Sequence, residues 1–471
     1  MTEVQRFLAR FEGWIVLLLA ALYFTTYATL SILRHQTFHS FGPDLGIFDQ
    51  IFWNTVHGRW FESTMSLAQP RPHSYFGDHF SPVYVLLLPF YAVFPHPQTL
   101  LVIQTLFLAA GVLPLYLLAR LRLPAGYPRL TWVIAYFLFI PLAYVNLYDF
   151  HETALSVLPL GLALYFLERG RPGLFVASLL FTLLIKEEMA LIGMGFGAYA
   201  LAGKRDWRLG LAVLLGSLAA FFAIVRLIIP AFAGGSSYAY FSARYAQFGS
   251  TPAQIVETAL THPLRLLRTL AQAKKLAFLA GLFGPVLGLS AVSGFAVLIL
   301  LPPLSYLLLS NYEPQFSFTN QYAAPLIPLV LGTAVLGISR LPAAIQRWLT
   351  AGILLSSLLF ATVFGDLPFS RRFDRGLFRP ESRYSAFASA LAAIPPEASV
   401  AAENDLTPHL SNRRLIYDIE YEGLQPAQFV ALDMAATGRN RAAFDEQIRT
   451  VMAAGYRELA SGDGLALFER P

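Results

Sequence analysis

Long apolar runs separated by short polar turns dominate the first three quarters of the chain. The pattern predicts membrane helices near 14–33, 99–119, 131–147, 153–168, 173–185, 189–202, 209–229, 276–292, 293–310, 321–338 and 345–363. The region 276–310 divides into two short helices at a Ser290–Gly294 turn, one long tilted helix being the alternative. No short apolar core with an Ala-x-Ala-like site follows the first run, so a retained helix is expected and not a cleaved signal. The run "HFSPVYVLLLPFYAVFPHPQ" (79–98) behaves differently, because its apolar core, Val83 to Phe94, is 12 residues long and contains Pro89. That length suits a helix lying along the membrane surface. Residues 34–98 then form one large external loop with amphipathic segments at 46–57 and 82–94.

After Phe364 the pattern changes. "ASVAAENDLTPHL", "RRLIYDI" and "AQFVALDM" read as strands, 441–457 as an amphipathic helix, and "GLALFER" as a last strand. The expectation is an α-helical polytopic membrane domain of about 11 helices over 1–364, followed by a small α/β domain over 365–471. The smaller domain has no Gly-rich phosphate loop and no nucleophile elbow, which points to acceptor recognition or partner docking.

Composition agrees: 56% hydrophobic and 13% charged residues in 471 exclude a soluble globular enzyme. The absence of cysteine excludes disulfides, thiolate catalysis and Cys-ligated zinc. Charge is divided unevenly, with 12 Lys+Arg against 15 Asp+Glu in residues 365–471 and 22 against 14 before them. The basic residues of the body fall in short clusters and not on one continuous face, which excludes a nucleic-acid binder. Arg6/Arg10, Arg120/Arg122/Arg129, Arg169/Arg171, Lys204/Arg205/Arg208 and Arg340/Arg347 instead mark cytoplasmic turns. An odd number of crossings then places the N-terminus inside and the C-terminal domain outside.

The remaining turns, at 34–98, "LYDFHE" (147–152), "KEE" (186–188), 230–275 and "SNYEPQFSFTNQY" (310–322), hold nearly all the acids of the membrane body. Carboxylates buried in hydrocarbon are costly unless paired, so a site assembled from several outer turns is expected.

"PDLGIFDQIFWNTVHGRWF", "HFSPVYVLLLPFYAVF" and a span ending "LYLLARLRL" resemble, in that order, the N-terminal third of the C-type (GT-C) glycosyltransferases. Over most of the chain, through "YDFHE", "LLIKEE", "RYAQFG", "NQYAAPLIP" and "IPPEASVAAENDLTPHLSNRR", the sequence resembles a prokaryotic membrane family catalogued as domain of unknown function 2079. The resemblance implies sugar transfer from a polyprenyl-phosphate donor to an acceptor at the extracytoplasmic face of the cell membrane. Two other classes stay open: a transporter or flippase of a lipid or lipid-linked sugar, and a non-catalytic membrane scaffold. Against the transporter, 1–235 and 236–364 show no internal repeat.

The resemblance makes Asp44 the general base; as the residue before Leu45 it would alternatively cap a helix. Asp44 is followed by Leu45 where the transferases often carry a second acid. Asp49 is a partner for it or a solvated acid, five positions on and off its helical face. Glu152 is the other catalytic candidate, and Mg²⁺ or Mn²⁺ at Asp44 and Glu152 suits oxygen ligands. Asp149, His151 and Glu152 lack a His-Glu-x-x-His pattern, which disfavours a zinc hydrolase. His79, preceded by Asp78, is an interfacial hydrogen-bonder or part of the substrate site. Lys186, beside Glu187 and Glu188, either pairs with a carboxylate to stabilise a helical hairpin or meets the donor phosphate. Arg226 competes for the phosphate, with snorkelling to the interface as its alternative. Arg244, Tyr245, Gln321 and Tyr322 complete the expected donor pocket.

Overall fold

A computed structural model describes residues 3–65, 73–235, 238, 240–438 and 440–471. Among the described residues, six helical stretches are long and apolar enough to cross a membrane: Gln5–Gln36, Pro97–Arg122, Tyr127–Leu147, Trp207–Phe232, Gln321–Ile338 and Ala343–Phe364. Shorter apolar helices stand among them, including Pro172–Leu183 and Met189–Ala202. The helix Leu326–Ile338 is buried along its whole length and forms the axis of the bundle, whereas Ala343–Phe364 is largely exposed, as a lipid-facing helix must be.

Antiparallel connections sort the polar turns to two ends. At one end Glu168 receives Arg122, Lys204 (2.7 Å) and the Tyr199 hydroxyl (2.5 Å), and Glu12 receives Arg129 (2.6 Å). The helices Val157–Glu168 and Met189–Ala202 run from this basic end to the opposite one, where Asp149–Glu152 and Lys186–Glu188 lie. One expected pair of helices is redrawn. The helix Ala273–Phe283 stops at Phe283, and 289–299 winds as two 3₁₀ segments, Leu289–Val292 and Gly294–Ile299. Gly284–Pro285 and the positive φ of Leu287 and Gly288 reverse the chain earlier than the Ser290–Gly294 turn.

The helix Val83–Val93, about 16 Å long at 1.5 Å per residue, is too short to span. It buries Val83, Tyr84, Leu87 and Tyr91 against the protein and exposes Leu86, Phe90 and Val93. Ile47–Val56, expected to be amphipathic, is instead buried almost throughout, because the C-terminal domain covers the side that the bundle leaves open.

In that domain the sheet order is Ile416–Asp418, Val400–Ala402, Phe429–Asp433, Leu465–Glu469, Arg457–Gly462, the first three strands parallel and the last two antiparallel to their neighbours. One face is covered by Arg441–Ala453 through Phe444 and Val451. This helix ends four residues short of the expected 457, since Gly455 takes φ +91 and the chain turns into the exposed strand Arg457–Gly462. A further helix, Ser382–Leu391, carries no clear periodic signal in the sequence. The other face of the sheet joins the core of the bundle. Contacts at this junction are specific: Gly42 N–H donates to Asn404 O (2.9 Å), Gln50 Nε2 to Arg414 O (2.8 Å), and Ser411 Oγ to Asp49 (2.7 Å). The His409 ring stacks between His35 and Phe38, at 4.2 and 3.8 Å between centroids.

Candidate functional site

Asp44 lies inside a π-helical turn, Gly42–Gly46, and caps neither that turn nor the helix after it, which begins beyond Gly46. The capping alternative therefore falls: the extra residue in the turn swings Asp44 away from the free amides. Its carboxylate meets His151 Nε2 at 3.1 Å and the Tyr148 hydroxyl, which also bonds Asn320. His151 is held by its backbone N–H, which donates to Gln104 Oε1 (2.8 Å), and by rings of Phe48 and Tyr148. Beside it Asp149 bonds Arg34 (2.7 Å) and the Phe41 N–H (3.0 Å), which ties the entry to the Asp44 turn to the end of the first helix. Burial raises Asp149 to about 6 against the opposing effect of Arg34.

Next to this group Glu152 is fully buried, one oxygen 2.8 Å from Lys186 Nζ and the other accepting from the Tyr84 hydroxyl at 2.8 Å. Burial opposes its charge, but Lys186, then His151 and His79, hold it below the usual carboxylate range. Lys186 is raised: the same burial works against it and is outweighed by Glu152, Glu188 and Glu187. Of the two readings of Lys186, internal neutralisation is the one the geometry realises.

Glu187 accepts from Tyr238 (2.6 Å) and the Phe80 N–H (3.1 Å) and meets His79 Nδ1 at 2.7 Å. Burial favours its neutral form, yet His79 and these donors bring it below the ordinary value, while burial and the neighbouring Glu187 push Glu188 up. His79 stacks on Tyr240 at 4.9 Å, and Tyr240 in turn faces the Arg244 guanidinium at 4.4 Å. Arg244 also sits over Tyr312 and Tyr322, at 5.1 and 5.6 Å. A cavity of about 220 Å³ opens here, lined by Glu188, Arg244, Tyr245 and Gln315 on its polar side and by Leu191, Phe241, Ile255 and Leu309 on its apolar side.

The structure thus gathers Asp44, Asp149, His151, Glu152, His79, Lys186, Glu187, Glu188, Arg244, Tyr245, Gln321 and Tyr322 at one end of the bundle. Two expected members stand outside this group. Asp49 is neither solvated nor paired to Asp44, because its two oxygens are taken by Tyr91 (2.5 Å) and Ser411 (2.7 Å); burial raises it to about 7. Arg226 is exposed and lines an adjoining cavity, which shares Tyr238, Phe241 and Pro252 with the one that holds Arg244. Tyr84, Tyr148, Tyr238, Tyr240 and Arg34 are members that sequence reasoning missed; nothing in their spacing separates them from the other tyrosines and arginines.

A family model described as "Predicted membrane protein (DUF2079)" matches residues 34–467. The chain belongs to that family. Among curated proteins, none matches. Among solved structures, the chain is similar to ArnT from Cupriavidus metallidurans bound to undecaprenyl phosphate, at TM-score 0.56 and 15% identity over 97% of this chain and 98% of that one. It is similar to the same protein in the apo state at TM-score 0.53 and 14% identity, with the same coverage. The DUF2079 chain therefore has the GT-C fold of a multi-pass membrane protein. Carboxylate ligation of Mg²⁺ or Mn²⁺ does not fit Asp44 and Glu152: Lys186 and Tyr84 occupy the two oxygens of Glu152. Among the described residues, no group of three or more His, Asp or Glu is placed to hold a metal ion.

Proposed function

We propose that the protein transfers a sugar from a polyprenyl-phosphate donor to an acceptor hydroxyl at the extracytoplasmic membrane surface. The observation that carries this reading is the contrast between two groups at the same end of the bundle. Asp44 keeps a side-chain exposure of 17% where Asp149, Glu152 and Glu187 keep 3% or less, and Arg244 lines a cavity with an apolar wall. The ArnT structure that shares the fold is bound to undecaprenyl phosphate, which supports a lipid phosphate as ligand. In this reading the acceptor oxygen bonds to the anomeric carbon as the carbon–phosphate-oxygen bond breaks. Asp44 takes the hydroxyl proton, with His151 holding it in place, and polyprenyl phosphate leaves toward Arg244. Lys186 is already neutralised and serves the framework. A site at one end, and not at the midplane between related halves, favours transfer over transport.

Asp44→Asn tests the assignment, since it keeps size and removes basicity. Transfer measured with polyprenyl-phosphate-linked sugars should slow by about 10²–10⁴-fold with the protein still folded. In cells, the unused donor should accumulate in the lipid extract and a modified product should disappear. Near-normal transfer by the variant would remove Asp44 from the chemistry.

A further inference from the structure

The 230–275 segment contains two consecutive helices, Pro252–Thr261 and Pro263–Leu270, whose largest apolar side chains face outward. Val256, Leu260, Leu264 and Leu267 are 59–76% exposed, while Ile255 packs with Tyr245 and Phe248, and Ala259 and Leu266 lie against the same cluster. On the second helix Arg265 is turned about 100° from Leu264 and about 160° from Leu267, whereas Arg268, one turn on from Leu264, stands at the edge of the same outward face. Arg265 is fixed by a bond to Gln247 O (3.0 Å), so the orientation of the pair is not arbitrary. Such a face in water would carry the cost of four exposed large apolar groups with no partner.

Continuity identifies what covers it. The chain leaves the segment directly into Ala273–Phe283, where Leu276 is 51% exposed, and enters it from Trp207–Phe232, where Leu227 is 68% exposed. Pro252 lines a cavity together with Arg226 and Pro230 at the end of that preceding helix, so the outward leucines stand beside lipid-facing helices, with Arg265 turned off their face as in an interfacial helix. The first helix has a second role: Pro252, Ile255 and Val256 line the cavity that holds Arg244 and Glu188.

We infer that Pro252–Leu270 lies in the headgroup layer of the leaflet on the site's side, and that its first helix is the wall past which a lipid ligand enters the Arg244 cavity from the bilayer. The placement stands on the exposed face alone; the entry role rests on the lipid-phosphate reading above.

The chain has no cysteine, so single cysteines carrying a nitroxide can be placed in the full-length protein in vesicles of phosphatidylethanolamine and phosphatidylglycerol. Labels at Leu260, Leu264 and Leu267 should collide more with oxygen than with an aqueous nickel complex, and labels at Glu257 and Arg265 the reverse. Equal nickel access at both sets would overturn the placement, and so would protection of the leucine positions from both reagents, which marks a protein partner. The entry role is read with undecaprenyl phosphate as the probe: Leu260→Ser, on the first helix but outside the cavity lining, should weaken its apparent binding about tenfold with the Arg244 cavity unchanged. Unaltered binding would overturn the entry role. If undecaprenyl phosphate fails to bind even the unmodified protein, the lipid-phosphate reading falls with the entry role, and the nitroxide result decides the placement alone.

Discussion

Lys186→Met is the most informative single perturbation, because the structure fixes both its cost and the change that should reverse it. Lys186 Nζ lies 2.8 Å from a Glu152 carboxylate that is fully buried, and Lys186 itself is 4% exposed. Removing the ammonium leaves a buried charge whose largest favourable interaction is gone, which costs about 3–5 kcal/mol. Glu152→Gln strands the ammonium and falls in the same range. The double variant leaves no net charge, and the amide that replaces the Glu152 carboxylate can still accept from Tyr84, so its loss should shrink to about 1–2 kcal/mol. The coupling between the two sites is then about 4–9 kcal/mol, far above what non-contacting residues show. Unfolding in mixed dodecylmaltoside and dodecylsulfate micelles, with all four proteins at one pH, measures the cycle. The pH dependence has a definite sign. With Lys186 gone, burial lifts Glu152 above its unfolded value, so the carboxyl favours the folded state when protonated. Lys186→Met should thus be closer to wild type at pH 5 than at pH 8. Additive single-variant losses, or a Lys186→Met cost that does not change with pH, would refute the ion-pair argument and return Lys186 to the list of phosphate ligands.

Three further outcomes are expected. Arg244→Gln should raise the KM for a lipid-linked donor and also lower kcat, because a cation at the leaving phosphate acts in both the ground and transition states; an unchanged KM would remove Arg244 from the donor site. Burial, and then His96, lower His409 to about 3, so its neutral form is favoured in the docked state and stability present above the unfolded value near 6.5 is lost as pH falls toward 3. Limited proteolysis between the bundle and residues 380–471 should therefore accelerate on the order of tenfold or more between pH 7 and 5, and His409→Phe, which keeps the stack on Phe38, should reduce that pH dependence, the His35 and His96 rings beside it remaining. Single cysteines along Val83–Val93 should react with an impermeant thiol reagent added outside whole cells at the exposed positions such as Leu86 and Phe90; labelling from the cytoplasmic side only would reverse the proposed orientation.

Much of the architecture is legible in the pattern of runs and turns. The 12-residue apolar core after His79 is visibly too short to cross, and Asp149, His151, Lys186 and Glu187 fall in turns that the arginine clusters place at one end. What period and composition leave out is the pairing. Lys186 meets Glu152 and His79 meets Glu187 only because two hairpins and the first loop abut, and the sequence separations of 34 and 108 residues carry no signal of that. Asp49 shows the same limit from the other side. Helical spacing correctly turns it away from Asp44, but whether that face meets water or protein depends on Ser411, 362 residues further on. The cap reading of Asp44 fails for a local reason, since a π turn at Gly42–Pro43 displaces one residue from the regular register and no propensity scale marks it.

Pairing is also what assigns chemistry within the gathered charges. An inventory of cations at the site end gives Arg34, Lys186, Arg226 and Arg244 equal claim to a phosphate. Arg34 is bonded to Asp149 and Lys186 to Glu152, each with a buried carboxylate that cancels its field at a ligand. Arg226 is exposed and lines the adjoining cavity, across Tyr238 and Phe241 from the one that holds Arg244. Arg244 is surrounded by the faces and one hydroxyl of tyrosines, which orient a guanidinium without neutralising it. A donor phosphodiester entering the cavity, and still more the polyprenyl phosphate that leaves it, would meet in Arg244 a cation with no carboxylate bonded to it, Glu188 standing on the same wall, already desolvated on its ring-facing sides and fixed in direction. The acids follow the same logic: Asp149, Glu152 and Glu187 have each been committed to a neighbour, Glu188 on the wall of the Arg244 cavity is pushed toward its neutral form by burial and Glu187, and Asp44, held by a histidine and a phenol and still open to solvent, is the carboxylate to which the proposal gives the acceptor's proton.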